Sequence, residues 1–276
     1  PTQLMITNGS DQGIDLAIRA ATGPSDRAII PAPSFAIYAQ CAQVQNAELI
    51  APPYQINAGY PLDAVLAAID ERTRLIVVPL PNNPSGTAPP LAAIERIAQA
   101  APAALVLVDE CYFEYTGLTA APLVACHPNL AIARTFSKTW GLPALRFGFL
   151  LSQEDNIRQL LKIRGPYDVN QLAVVAARAA LDSPAYTRDY VREVMEKSKP
   201  LLENWLKQRN IRTWPSCANF LWTFPPQAAK LAEHLRTRNI LVRPKSDAQG
   251  KLGLRISLGT LNQTQRLLEA LEDFSH

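Results

Sequence analysis

The sequence predicts an α/β fold: a mostly parallel sheet between helical layers, followed by a smaller α+β unit. Three observations predict it. Short, almost wholly apolar runs alternate with stretches of helical period, as in strand–helix–strand units with right-handed crossovers. Polar residues gather just past the ends of those runs, where open α/β sheets hold their ligands. After about residue 209 the rhythm changes to strands set around single helices. The expected division is a large domain over 1–175 and a small C-terminal domain over 176–276.

Residues 1–10 end in the turn signal Asn8-Gly9-Ser10. Asp11 to Ala21 reads as a helix, with Ile14, Leu16, Ala17, Ile18 and Ala20 on its apolar side, and Gly23-Pro24 stops it. Ala28-Ile29-Ile30 and Leu49-Ile50 read as short strands, with a helix over Phe35 to Val44 between them. Pro61 to Glu71 is a helix with proline near its start, where a missing N–H costs nothing. Arg74 to Leu80 is an apolar strand of the kind buried on both faces, and Pro81-Asn82-Asn83-Pro84-Ser85-Gly86 is the loop at its carboxyl end. A helix over Leu91 to Ala101 precedes a second buried strand, Ala104 to Val108, which ends in Asp109-Glu110. Leu130 to Ala133 is a third, and another apolar run covers Phe147 to Leu151. Helices follow over 155–164 and 170–181, then a long one over about 185–209 behind Ser183-Pro184. In the last part, 219–224, 240–242 and 253–258 read as strands and 226–238 as a helix. Thr260 and Gln263 have capping-box spacing at the start of a final helix, whose core face carries Leu267, Leu268 and Leu271.

Composition excludes several classes of function. The 276 residues are 48% apolar, enough for a substantial core. The net charge of +3 is scattered, with no basic arm or stripe, so nucleic acid is not an expected partner. The four cysteines lie far apart without metal-ligand spacing and there are three histidines, so no metal is expected. Cys111 and Cys126 read as plain core residues, and the cysteine usage suits a reducing cytoplasm. No run is long enough for a membrane span. The chain opens on Pro1 and enters structured sequence at once, so an upstream segment is expected to be missing.

The stretch from Thr135 to Gly148 carries the chemistry. Lys138 follows a buried strand and is expected to be partly desolvated, which favours the free amine that attacks carbonyl carbon. Arg146 is suited to pair bidentately with a phosphate. In a parallel sheet, Asn83, Asp109, Tyr112, Lys138 and Arg146 come to one edge. The Gly9-Ser10-Asp11 turn adds the free N–H groups of a helix start, an anion site. A lysine, a carboxylate and a phosphate cradle are what pyridoxal phosphate requires.

On these stretches the chain resembles the fold-type-I aminotransferases, in the class I/II branch that contains histidinol-phosphate aminotransferase. The resemblance is carried by Thr7 to Gln12, Pro33 to Tyr38, Pro81 to Gly86, Asp109 to Tyr112, Thr135 to Gly148 and Leu254 to Thr260, in family order across nearly the whole chain. It implies the three-layer large domain of the pyridoxal-phosphate transferases with a smaller C-terminal domain. It implies that Lys138 is the Schiff-base lysine and proton shuttle, and that Asp109 pairs with the pyridinium nitrogen. Asn83 and Tyr112 would bond the ring's phenolic oxygen, and Phe35 would stack on the ring. Ser10, Asp11, Ser137 and Arg146, assisted by Thr135, would hold the cofactor phosphate. Arg255 would clamp the substrate carboxylate and Arg243 would meet a substrate phosphate.

The implied activity is amino transfer between an amino acid, with glutamate the usual donor, and an oxo acid or phosphorylated oxo compound, in a homodimer. The chain departs from the family in lacking its N-terminal arm, in Phe35 where many relatives have tyrosine, and in Leu142-Pro143-Ala144 before the arginine. That proline also resembles the threonine-phosphate decarboxylases, which use the same cofactor to break a different bond. A third reading is the aminotransferase-like ligand-sensing module of a regulator.

Overall fold

A computed structural model describes residues 2–56 and 58–274. The strands are β1 (Leu4–Asn8), β2 (Arg27–Ile29), β3 (Glu48–Ile50), β4 (Thr73–Pro79), β5 (Leu105–Asp109), β6 (Leu130–Thr135) and β7 (Phe147–Ser152). They form one seven-stranded sheet in the order β1-β7-β6-β5-β4-β2-β3. Pairings from β3 through β6 are parallel. β7 runs antiparallel to both β6 and β1.

Alternation along the central strands explains the layers. Ile76 and Val78, Val106 and Val108, Leu130 and Ile132 point into one core. Leu75 and Val77, Leu107, Ala131 and Ala133 point into another on the opposite face. A strand with period two and apolar residues at both phases must be covered twice. Helices supply the covers: α1 (Gly9–Ala21), α2 (Ile37–Val44), α3 (Leu62–Ala67), α4 (Leu91–Ala100), α5 (Phe113–Thr116), α6 (Glu154–Leu161) and α7 (Gln171–Asp182). Each fully buried Val, Leu or Ile contributes about 1.5–3 kcal/mol, so the two covered faces of this sheet are a main source of the fold's stability.

The second unit is a four-stranded antiparallel sheet in the order β10-β11-β9-β8, from β8 (Arg212–Thr213), β9 (Phe220–Phe224), β10 (Arg243–Ser246) and β11 (Leu252–Ser257). It packs with α8 (Pro184–Glu193), α9 (Lys199–Gln208), α10 (Ala228–Thr237) and α11 (Leu261–Phe274). The long helix expected over 185–209 is α8 and α9 joined through a π-helical turn, Val194–Ser198. Pro200, one residue into α9, lacks the N–H an α-helix needs there, and the widened turn just before it absorbs the mismatch. The capping box forms: Thr260 N–H donates to Gln263 Oε1 at 2.9 Å.

Four expectations are corrected. Residues 4–8, read only as the approach to a turn, form the edge strand β1. The strand expected over 240–242 lies instead at Arg243–Ser246; Ile240 N–H caps α10 on Leu235 O at 2.9 Å, and Ile240 and Val242 pack on the core as a connector. The helix expected over 61–71 shortens to Leu62–Ala67. Cys126 is exposed, because it ends a short 3-10 turn at the surface and not a buried run.

Candidate active site

The register brings the site together. β4, β5 and β6 run parallel and end at one edge of the sheet. Asn83 follows β4, Asp109 ends β5 and Thr135 ends β6. β7 starts at that same edge, with Thr135 and Thr7 both opposite Gly148. Arg146 therefore lies beside the start of α1, which leaves β1 at Asn8.

These residues line one cavity of about 110 Å³: Ser10, Asp11, Phe35, Asn83, Asp109, Tyr112, Thr135, Ser137, Lys138 and Arg146, with Tyr38, Pro81 and Cys111. Every residue expected to hold the cofactor is among them. Arg255 is not, but it is tied to the cavity wall: its Nη1 donates to Asn83 Oδ1 at 2.6 Å. Arg243 lies further out, exposed on the edge strand β10 and directly opposite Arg255 in the β10–β11 register.

Asp109 forms the floor and is buried. Its carboxylate accepts from the Cys111 amide at 2.9 Å and from the Tyr38 hydroxyl through a short bond. Burial pushes its pKa above the usual carboxylate value, while the Cys111 and Tyr38 donors and the Lys138 charge pull the other way. Tyr38 is fully buried, and burial together with the Asp109 charge raises its own pKa far enough to keep the hydroxyl protonated as a donor.

One end of the cavity is shaped for an anion. The first turn of α1 points its free N–H groups there. Gly9 has φ +75°, and a Cβ on it would stand 2.5 Å from Arg146 Nη2. A Cβ on Gly148 would stand 2.6 Å from the Ser10 nitrogen. Arg146 itself is left-handed, φ +55°, a conformation a bulky side chain adopts only when its surroundings hold it. Its guanidinium donates to Ser137 Oγ at 3.3 Å, to Pro143 O at 2.9 Å and to Asp11 at 3.0 Å. Thr135 Oγ1 accepts from the Ser137 N–H at 3.1 Å and so fixes the loop.

At the mouth, Phe35 is 39% exposed and meets Tyr38 edge-on at 5.8 Å. Lys138 Nζ lies 5.7 Å from the centre of the Tyr112 ring. The expected desolvation of Lys138 does not hold: the residue is exposed, because it sits on a turn three positions past β6. Tyr112 is buried edge-on against Phe220, 5.1 Å between centres, which joins the pocket wall to the core of the second unit. Arg255 lies over the same Phe220 at 5.3 Å, and its Nε is buried without a hydrogen-bond partner.

Sequence reasoning missed Tyr38; Cys111 is the buried core residue expected, and it also lines the cavity. The signal for Tyr38 was its spacing, three positions after Phe35 at the start of a helix, which puts both rings on one side. Cys111 Sγ lies 3.2 Å from Ser10 Oγ, so it bridges floor and anion end.

Comparison with known proteins shows the family and the fold. The chain is 34% identical over 279 residues to the histidinol-phosphate aminotransferase of Geobacillus sp. (strain WCH70), covering 98% of this chain and 75% of that one. The structure of histidinol-phosphate aminotransferase from Sinorhizobium meliloti in complex with pyridoxal-5'-phosphate superposes with a TM-score of 0.89 at 23% identity, over 99% of this chain and 77% of that one. The L-threonine-O-3-phosphate decarboxylase of Porphyromonas gingivalis shares the fold at a TM-score of 0.84 and 24% identity, over 99% of this chain and 83% of that one. The family model for aminotransferase class I and II matches residues 1–271. The chain belongs to the class I and II aminotransferases, a family of pyridoxal-phosphate-dependent enzymes.

Proposed function

We propose that the chain exchanges an amino group between histidinol phosphate and 2-oxoglutarate, with glutamate as the other amino partner. The observation that carries this reading is the pair Arg243 and Arg255. They stand directly opposite each other on adjacent antiparallel strands, on one face of the sheet. Like charges so placed destabilise a sheet unless an anion lies between or above them. One of the two also keeps a buried Nε without a partner. A substrate with a carboxylate for Arg255 and one with a phosphate for Arg243 would relieve both costs, and the relatives' substrate supplies the phosphate.

The residues of the cavity fit pyridoxal phosphate. Asp109 is a buried carboxylate whose hydrogen-bond donors are both neutral groups, and a protonated ring nitrogen is the cation that suits it. Gly9 lets the Arg146 guanidinium lie against the helix start, and Gly148 lets β7 pack against the Ser10 backbone, so a cation and free N–H groups face one anion-sized end of the cavity. When bound, the cofactor supplies an aldehyde carbon that bonds amines and a ring that accepts electron density from the substrate Cα.

The protein's part follows from its own groups. Ser10 and Asp11 N–H, the Ser137 hydroxyl and the Arg146 guanidinium hold the phosphate. Phe35 covers a ring face and excludes water from it. Asn83 has its Oδ1 engaged by Arg255, so its amide Nδ2 is the donor left for the ring's phenolic oxygen, beside the Tyr112 hydroxyl. Asp109 keeps the ring nitrogen protonated. Lys138 Nζ would be the base that takes the proton from the substrate Cα and holds it for return, the role amino exchange needs.

We also propose a homodimer. The exposed apolar residues Leu172 and Val175 lie one turn apart on α7, and Tyr167 stands 97% exposed just before that helix. Light scattering tests this, and a monomer at working concentration would refute it. For the reaction, the purified holoenzyme is given histidinol phosphate and 2-oxoglutarate and glutamate is measured. Arg243→Ala should raise the KM for histidinol phosphate and leave that for glutamate within about twofold. Release of carbon dioxide from a phosphorylated amino acid without amino exchange would overturn the proposal in favour of a decarboxylase.

A further inference from the structure

We propose that Glu114 is a positioning residue that sets the place of the Lys138 amine. This rests on Lys138 being the amine that bonds the cofactor.

Lys138 lies on the turn that joins β6 to β7, and its place depends on what holds that turn. Its inner side is closed by its own backbone: Gly141 N–H donates to Lys138 O and Leu142 N–H to Phe136 O, both at 3.1 Å. On the outer side one carboxylate accepts from two side chains, and the Tyr115 hydroxyl also meets Thr139. Glu114 Oε2 accepts from Thr139 Oγ1 at 3.0 Å, and Glu114 Oε1 accepts from Trp140 Nε1 at 2.8 Å. These are the two residues immediately after Lys138. The Trp140 ring in turn stacks on Phe136, 5.3 Å between centres, and Phe136 meets Phe147 edge-on at the start of β7.

Glu114 belongs to α5, which directly follows Asp109 and Tyr112. One side chain thus ties the segment that carries the floor of the cavity to the turn that carries its amine. Both donors are neutral, so the carboxylate works as a two-pronged acceptor whose bonds are directional. Thr139 is buried. If Glu114 is shortened, the indole N–H loses its acceptor and the Thr139 hydroxyl keeps only the Tyr115 hydroxyl beside it, so the turn can shift while the sheet beneath stays in place. Misplacing a reacting group by about 1 Å can lower a rate by about a hundredfold.

The test compares Glu114→Ala with Glu114→Gln. Glutamine can accept from Trp140 through its oxygen and donate to the Thr139 hydroxyl through its amide, so the bridge survives without the charge. The first readout is made on cofactor-free protein: the rate at which added pyridoxal phosphate develops its bound visible absorption band. The second is the pH midpoint of that band. The third is kcat against KM. For E114A the expected result is a band that forms about ten- to a hundredfold more slowly, with a shifted midpoint and a lowered kcat at a nearly unchanged KM for the amino donor. For E114Q all three stay within about threefold of the parent.

Trp140→Phe keeps the stack on Phe136 and removes one donor, so it should give part of the E114A effect. E114A/W140F should be no worse than E114A alone, since the two act through one bond. If E114A does not fold, W140F and Thr139→Val carry the test with the same readouts. The inference fails if E114A matches the parent in band formation and midpoint, if E114Q is as impaired as E114A, or if the double variant is additive. Lys138→Ala on the same readout separates the two claims. If K138A still develops the parent band, the lysine reading is at fault; if K138A abolishes it while E114A is silent, only the role of Glu114 is.

Discussion

Removing one oxygen tests the electrostatics of the cavity floor. Tyr38→Phe deletes the hydroxyl that donates to Asp109 and keeps the ring that meets Phe35 edge-on at 5.8 Å. Both partners are almost wholly buried, 2% and 6% exposed, so solvent does not screen the loss. A hydrogen bond to an ionised group contributes about 1.5–3 kcal/mol, and about 1.4 kcal/mol is a tenfold change in an equilibrium constant. Burial already raises the Asp109 pKa, and the Tyr38 bond is one of the contributions that lower it. The sign follows. Without that bond the folded-state pKa rises further, so the carboxylate forms only at higher pH. In the proposed reaction Asp109 must be ionised to keep the ring nitrogen protonated. On the acid side, kcat/KM of Y38F should fall roughly ten- to a hundredfold, and the acid limb of its pH profile should move to higher pH. Stopped-flow or steady-state rates across a pH series measure both. Thermal unfolding of the two proteins controls for folding. If the acid limb of Y38F superposes on that of the parent, Tyr38 does not govern the charge on Asp109 and the reasoning is wrong.

Other outcomes follow from the same geometry. Lys138→Ala should lower amino exchange by about a thousandfold or more, measured as glutamate formed; undiminished turnover would remove Lys138 from the chemistry. Asp109→Asn should stabilise the cofactor-free protein at neutral pH and abolish efficient exchange. The raised pKa of Asp109 means that its contribution to stability is present at low pH and lost as pH rises through the folded-state value. The variant lacks that pH-dependent loss, which thermal melts at a series of pH values would register. Gly148→Ala puts a Cβ 2.6 Å from the Ser10 nitrogen, so it should cost about 1–3 kcal/mol in stability or shift α1, and weaken phosphate binding in either case. Isothermal titration with pyridoxal phosphate reads the second effect. Raising salt should weaken the hold of exposed Arg243 on a phosphorylated substrate more than that of half-buried Arg255 on a carboxylate, seen as separate KM changes.

Which parts of this molecule could be read in advance depends on whether their cause is local. The central strands were legible because burial on both faces forces an apolar run, and the two cores divide its alternate residues between them. The convergence of the candidate residues on one cavity was legible because parallel strands end together, so groups just past each strand meet without any fine register being known. β10 was not legible. Arg-Pro-Lys-Ser has no strand propensity, and it pairs only because it is the outermost strand, where proline needs to offer no N–H to a second neighbour. The apolar 240–242 run beside it drew the prediction three to four residues early. Tyr38 was hidden for a related reason. A tyrosine on a buried helix face reads as packing, and only the position of Asp109, 71 residues away, turns its hydroxyl into part of the site. Glu114 is the same case, with its two acceptor bonds reaching 25 and 26 residues along the chain. The groups expected to touch the cofactor were thus named by motif and strand end, while the contacts of Tyr38 and Glu114 emerge only in three dimensions. Each is a contact between segments, and a linear pattern carries no trace of it.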